Sequence, residues 1–235
     1  SHLFYETNVT ALAKMVEGLA GRDWFEKFVQ VGSSEIYGAV DGPVTEEAPL
    51  TPTSPYSISK MAGDLHLVSM HEVRGFPMNI IRPSNAYGPG QQLYRILPRA
   101  VLAAANGERV PLEGGGQARK SYIHARDLAE SIQLIAERAE PGKIYNAGPP
   151  EPVAIRRLVE LVAEEFDIPF DDFVEQRPGR PGEDAQYWLD SSLIKRDLGW
   201  EPRISLEEGV REMADWGKRY ASQLREASTD YVLRA

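Results

Sequence analysis

Residues 28–38 read Phe-Val-Gln-Val-Gly-Ser-Ser-Glu-Ile-Tyr-Gly. Three of the first four are apolar and β-favouring, and Gly32-Ser33-Ser34 closes them, which predicts a buried strand running into a polar loop. Upstream, Leu12, Met15, Val16 and Leu19 recur at helical spacing between Val9 and Ala20, with Gly21 where a C-terminal cap belongs. Downstream, Pro43, Pro49, Pro52 and Pro55 mark a loop, Tyr56 to Val73 reads as a helix, and Pro77-Met78-Asn79-Ile80-Ile81 as a second buried strand stopping at Arg82-Pro83. Helices alternating with apolar strands predict parallel βαβ units.

Beyond Pro83 the rhythm loosens. A Gly-Pro-Gly loop at 88–90 precedes a helix from Ile96 to Ala105, a strand near Val110 and another from Ser121 to His124. A helix at 127–138 and a strand from Lys143 to Asn146 resume the alternation, and helices near 153–166, 191–198 and 205–224 follow, with Pro and Gly crowded at 178–182. The expectation is an α/β protein with a doubly wound parallel sheet and a smaller C-terminal lobe. Residues 1–85 fall in the first and 86–235 mainly in the second, with segments near 121–147 returning to the sheet. Ligands of such sheets bind at the carboxyl ends of the strands, in the cleft between lobes.

The 42% hydrophobic and 26% charged content is that of an ordinary globular protein. A net charge of −9 argues against sequence-independent nucleic-acid binding, which needs a basic surface. Without cysteine there is no disulfide, thiolate nucleophile or cysteine-zinc site. No apolar run approaches the roughly 18 residues that span a bilayer, and no basic-then-apolar leader pattern is present. A soluble, cytoplasmic protein without a membrane partner is expected. His2, His66 and His71 show no ligand spacing, and His124 beside Asp127 reads as structural, so no metal site is expected.

Tyr56-Ser57-Ile58-Ser59-Lys60 opens the second helix, and its i, i+4 pair lies on one face. An ammonium beside a phenol favours phenolate, a base suited to removing an alcohol proton. A surface pair is the other reading of that spacing. Ser33, Ser34 and Glu35 stand at a strand's carboxyl end, where serine caps and an exposed glutamate are the plainer interpretation.

Taken together, Gly-Ser-Ser-Glu-Ile-Tyr-Gly at 32–38, Tyr56-xxx-Lys60, and Arg-Pro-Ser-Asn-Ala-Tyr-Gly-Pro-Gly at 82–90 resemble the extended short-chain dehydrogenase/reductases, the NAD-dependent sugar-nucleotide epimerase/dehydratase family. Further markers are Asn8-Val9, Gly114-Gly115-Gly116, Ser121-Tyr122-Ile123-His124 with Asp127, and Leu198-Gly199-Trp200-Glu201-Pro202. The resemblance covers essentially the whole chain and implies a Rossmann-like sheet. It also implies that Ser33 hydrogen-bonds the hydroxyl being oxidised, that Tyr56 is the base, and that Lys60 holds the nicotinamide ribose. Gly32, Pro83 and Ser84 would lie along the cofactor, NAD rather than NADP, and Asn85 would touch substrate. Glu35 points to the nucleotide-sugar 4,6-dehydratases, which use a carboxylate here to remove the proton on sugar carbon 5. The glucose-type enzymes carry an aspartate just before it, where this chain has Ser34. GDP-mannose 4,6-dehydratases show Ser-Glu. A 4-epimerase, a 4-keto reductase, a decarboxylase and a non-catalytic nucleotide-binding scaffold remain alternatives.

The substrate implied is a nucleotide-diphosphate sugar, its phosphates met by Arg95 and by Lys120 or its neighbour Arg119. Another family arginine falls at Gln186, leaving Arg177 or Arg180 to compensate. The resemblance also implies a homodimer through helices 9–20 and 56–73. The family's glycine fingerprint for the dinucleotide is not found, since Gly114-Gly115-Gly116 lies far downstream and does not lead directly into a helix. The N-terminal part of the Rossmann unit is therefore expected to be missing from this sequence.

Overall fold

A computed structural model describes residues 1–179, 186, 188–227 and 229. Helix α1 (His2–Tyr5) runs through a π-helical turn, Glu6–Ala11, into α2 (Leu12–Leu19), then come β1 (Phe28–Val31) and a 3₁₀ turn, Ser34–Tyr37. The chain continues as α3 (Pro55–Arg74), β2 (Met78–Pro83), β3 (Asn85–Tyr87), α4 (Ile96–Asn106), β4 (Val110–Glu113), β5 (Arg119–Lys120) and β6 (Tyr122–His124). It then forms α5 (Ala125–Arg138), β7 (Ile144–Ala147), β8 (Val153–Ala154), α6 (Ile155–Glu165), α7 (Phe170–Phe173), β9 (Val174–Arg177), α8 (Ser192–Leu198) and α9 (Leu206–Arg225).

Strands β1, β2 and β7 form a parallel sheet in that order, with Phe28 opposite Met78 and Ile80 opposite Ile144. Successive side chains of β2 point to opposite faces. Met78 and Ile80 join Leu12, Val16, Leu67 and Phe76 from the side of α2 and α3. Ile81 joins Ile123, Ile135, Tyr145 and Trp200 from the side of α5 and α8. The sheet is thus covered on both faces, and every residue of β2 is buried, which is why its sequence does not alternate. The expectation that β1 is buried needs correcting: it is the sheet's edge among the described residues, and Val31 is 40% exposed.

Helix α3 is specified locally. Ser54 accepts from the Ser57 amide while Ser57 reciprocates to Ser54, Pro55 occupies the first turn, and Gly75 in the left-handed conformation ends the helix. A second core gathers around α4, α6 and α9, with Leu97, Val101, Leu158, Val162 and Met213 at its centre. The parallel pair β4 and β9, Val110 opposite Val174, covers it. Helices α4 and α9 approach so closely that a Cβ on Gly217 would lie 2.1 Å from Val101 Cγ1.

Candidate active site

The three sheet strands are parallel, so their carboxyl ends share one edge, and the predicted catalytic residues meet there. The Gly32 amide donates to the Ile81 carbonyl at 2.7 Å, continuing the ladder past β1. Ser33 then caps the 3₁₀ turn, its Oγ accepting from the Glu35 amide at 3.2 Å. An oxygen that accepts there still has its own proton to give elsewhere. Ser33 and Ser34 are buried and Glu35 is half-buried.

Tyr56 is the second residue of α3 and Lys60 lies one turn on, so the phenol also sits at the positive end of a 20-residue helix. The first helix braces this turn. The Phe4 ring stands edge-on to Tyr56 with centroids 5.5 Å apart, and Asn8 Nδ2 donates to Ser59 Oγ at 2.9 Å. Lys60 Nζ donates to the Val31 carbonyl at 2.6 Å, joining α3 to the end of β1. Burial lowers the Lys60 ammonium below the usual lysine range, against the pull of the Asp64 carboxylate.

Beneath this pair lies a polar chain that the sequence reading missed. Arg82 Nε meets Asp64 Oδ2 at 3.0 Å, with both side chains buried. Arg82 Nη1 donates to the Tyr37 hydroxyl at 2.8 Å, and Tyr37 donates to Asn146 Oδ1 at 2.9 Å. Asn146 in turn donates from its side chain to the Val44 carbonyl and from its backbone to Glu46 Oε1. Burial raises the Tyr37 phenol, the Asp64 carboxyl and the Glu46 carboxyl. Gly32 rests on this layer: a Cβ there would lie 3.2 Å from Arg82 Cγ and 3.3 Å from Asp64 Oδ1. Asp64 follows Lys60 by four residues on the same helix, and Arg82 is a charge inside an apolar strand; both signals were available.

At the end of β2, the Ser84 amide donates to the Ala147 carbonyl at 2.8 Å. Its buried hydroxyl has no hydrogen-bond partner among the described residues and lies against Gly148. A buried hydroxyl left unmatched at the ligand edge of a parallel sheet, with Lys60 retaining two of its three N–H groups, fits the nicotinamide-ribose end of a dinucleotide.

The next residue, Asn85, lines a cavity of about 810 Å³ with Gln92, Tyr94, Arg95, Lys120 and Tyr122. Three of the four predicted substrate contacts, Asn85, Arg95 and Lys120, thus share one cavity. Arg119 does not join them: it is exposed, and its Nη2 donates to the Pro152 carbonyl at 2.7 Å, because adjacent residues of β5 face opposite ways. Burial pushes the Tyr122 phenol up to about 12, with the Arg95 charge opposing. A smaller cavity of about 250 Å³ adjoins at Tyr94, Ile96 and Ile155 and includes Arg99 and Arg177. Arg177 Nη2 is paired with Glu175 at 3.1 Å, and Arg180 lies outside the described residues.

His124 caps α5, its Nδ1 accepting from the Arg126 amide, while Asp127 accepts from the Ile204 amide, so the two form no dyad. Among the described residues there is no group of three or more potential metal ligands, and no helix is long and apolar enough to cross a membrane. The three glycines 114–116 form a 3₁₀ turn between β4 and β5, with no helix following directly.

Residues 1–213 match the family described as GDP-mannose 4,6 dehydratase. A dTDP-glucose 4,6-dehydratase of Streptomyces griseus is 34% identical over 94% of this chain and 67% of its own length. Another, of Streptomyces niveus, is 31% identical over 91% of this chain and 63% of its own length. The chain therefore spans about two thirds of the length of these relatives. The crystal structure of dTDP-glucose 4,6-dehydratase from Bacillus anthracis in complex with NAD superposes with a TM-score of 0.86 at 29% identity, covering 93% of this chain and 70% of that one.

Proposed function

The chain belongs to the GDP-mannose 4,6 dehydratase family, and on that premise we propose that it carries the catalytic part of an NAD-dependent nucleotide-sugar 4,6-dehydratase. The observation that carries the reading is the bond from Lys60 to the Val31 carbonyl, which sets Tyr56 and Lys60 at the strand end bearing Ser33 and Glu35.

When bound, the nicotinamide supplies a hydride acceptor at sugar carbon 4 and the donor that later reduces carbon 6. Tyr56 takes the proton of the carbon 4 hydroxyl, and Ser33 donates a hydrogen bond to the same oxygen. The carbon 4 ketone acidifies carbon 5, from which Glu35 removes a proton. Glu35 then gives that proton to the hydroxyl departing from carbon 6, because a serine hydroxyl such as Ser34 is too weak an acid for the task. Carbon 5 takes a proton from water, Tyr56 returns the carbon 4 hydroxyl proton to the hydroxide so formed, and the substrate loses one H₂O with no net redox change. Asn85, Arg95 and Lys120 hold the nucleotide diphosphate, Arg95 as a planar fork and Lys120 as a point charge. Residues 1–85 and the strand β7 serve the cofactor half, and most of 86–235 serves the substrate. A homodimer is part of the proposal, through the helices at 9–20 and 56–73, which expose Met15, Ile58, Leu65 and Val73. A cytoplasmic setting, where nucleotide sugars are made, completes it.

The test is incubation of the intact native protein with NAD and GDP-, dTDP-, UDP- and CDP-hexoses, read by mass. Loss of one water from one of them is expected. Unchanged mass with an inverted carbon 4 would replace the dehydratase by an epimerase.

A further inference from the structure

A buried arginine–aspartate pair is seldom a stability device, because desolvating two charges offsets most of what their attraction returns. The pair of Asp64 and Arg82 is placed where it acts on the catalytic helix. Asp64 is fully buried four residues after Lys60, and only its Oδ2 is engaged by Arg82. Its Oδ1 has no hydrogen-bond partner among the described residues and faces Gly32, the residue after the carbonyl that receives Lys60. Arg82 is itself fixed from the far side by Tyr37, and Tyr37 by Asn146.

We propose that Asp64 is a positioning residue for the proposed reaction: anchored by Arg82 one helical turn beyond Lys60, its charge acts through space to favour the ammonium that the Val31 carbonyl receives at the end of β1, where Tyr56 and the cofactor ribose need it. The proposal rests on the dehydratase reading for the use of Lys60, not for the geometry. The charged and titratable groups on the elements packed against Lys60 are Tyr56 and Asp64 on its own helix, Arg82 at the end of β2, and Glu35 and Tyr37 in the 3₁₀ turn that follows β1. Burial disfavours the ammonium, and Asp64 is the carboxylate that opposes this. Without it the Arg82 guanidinium would be left in the core without its carboxylate, and its charge would add to the cost of the Lys60 ammonium.

The test titrates Lys60 by nuclear magnetic resonance in the intact protein with NAD, using ¹³Cε-labelled lysine assigned through Lys60→Arg. In Asp64→Asn, Lys60 is expected to lose its proton at lower pH than in the parent, with the alkaline limb of kcat moving down alongside and KM little changed. In Arg82→Met it is expected to lose its proton at higher pH. Both variants break the same buried pair, so simple loosening of the fold would move Lys60 the same way in both. Shifts of the same sign, or none, overturn the proposal. Opposite shifts in a protein that dehydrates no nucleotide sugar would sink the assigned reaction while leaving Asp64 in its role.

Discussion

Replacing Gly32 with alanine puts one methyl group into the contact between the end of β1 and the layer below the site. The added Cβ would lie 3.2 Å from Arg82 Cγ, 3.2 Å from the Ile81 carbonyl oxygen and 3.3 Å from Asp64 Oδ1. These distances are a few tenths of an ångström inside comfortable contact, where carbon pairs prefer about 3.5–4.0 Å. None of the three neighbours is a loose side-chain tip. The carbonyl belongs to the central strand and receives the Gly32 amide, and the other two atoms belong to the buried ion pair. The strand end must therefore lift, at a cost of about 1–2 kcal/mol by analogy with other overpacked cores. For a chain of this size that corresponds to a fall in Tm of roughly 2–8 °C. Lifting also carries away the Val31 carbonyl that holds Lys60, so kcat should fall more than the stability loss alone explains. The assay is thermal unfolding beside steady-state kinetics, with Gly18→Ala as control, since a Cβ on Gly18 meets nothing within 4 Å and helix propensity favours alanine by about 0.5–1 kcal/mol. A Gly32→Ala protein as stable and active as the parent would refute this packing argument.

Other outcomes follow from the same geometry. Gly217→Val drives a Cβ to within 2.1 Å of Val101 Cγ1 and should cost at least about 1–3 kcal/mol in denaturant unfolding, or prevent formation of the core around α4, α6 and α9. Ser54→Ala removes the cap of α3 and should cost about 1 kcal/mol in the same measurement. Burial raises the Glu46 carboxyl, so its folded form holds a proton more tightly than the unfolded chain, and its contribution to stability declines as pH rises from the ordinary glutamate value through the folded one. Glu46→Gln keeps an oxygen for the Asn146 amide and should be more stable than the parent near neutral pH, an advantage that disappears in acid unfolding curves. Leu65→Asp, at a site 52% exposed on α3, should yield monomers in sedimentation if the proposed dimer forms there.

Sheet strands and long helices were legible because their apolar patterns are long or complete. The mostly apolar run before Arg82, broken only by Asn79, read as a buried strand, and α3 declared itself through Ser54, Pro55 and Gly75. The three-residue β3 and two-residue β5 and β8 carry no periodicity to read. The edge position of β1 was hidden too, since strand order is a property of pairing and not of the strand's own residues. In the site, Ser33, Glu35, Tyr56 and Lys60 were proposed from the resemblance of their combined motifs, since residue type and spacing alone left plainer readings open. The supporting chain of Asp64, Arg82, Tyr37 and Asn146 was missed because it links residues up to 109 positions apart, and only folding makes them neighbours. Arg119 and Lys120 were inseparable in the sequence, since only the facing of β5 decides which one enters the cavity.

In the proposed reaction Glu35 removes the carbon 5 proton after Tyr56 has opened the oxidation. The most direct test is turnover of the accepted nucleotide sugar in deuterium oxide, with the product read by mass and by nuclear magnetic resonance. The expected product is a 4-keto-6-deoxy sugar nucleotide that has lost one water and carries deuterium at carbon 5, with Glu35→Gln retaining some carbon 4 oxidation but forming none of that product. Full dehydration by Glu35→Gln, or a product with an unexchanged carbon 5, would contradict it.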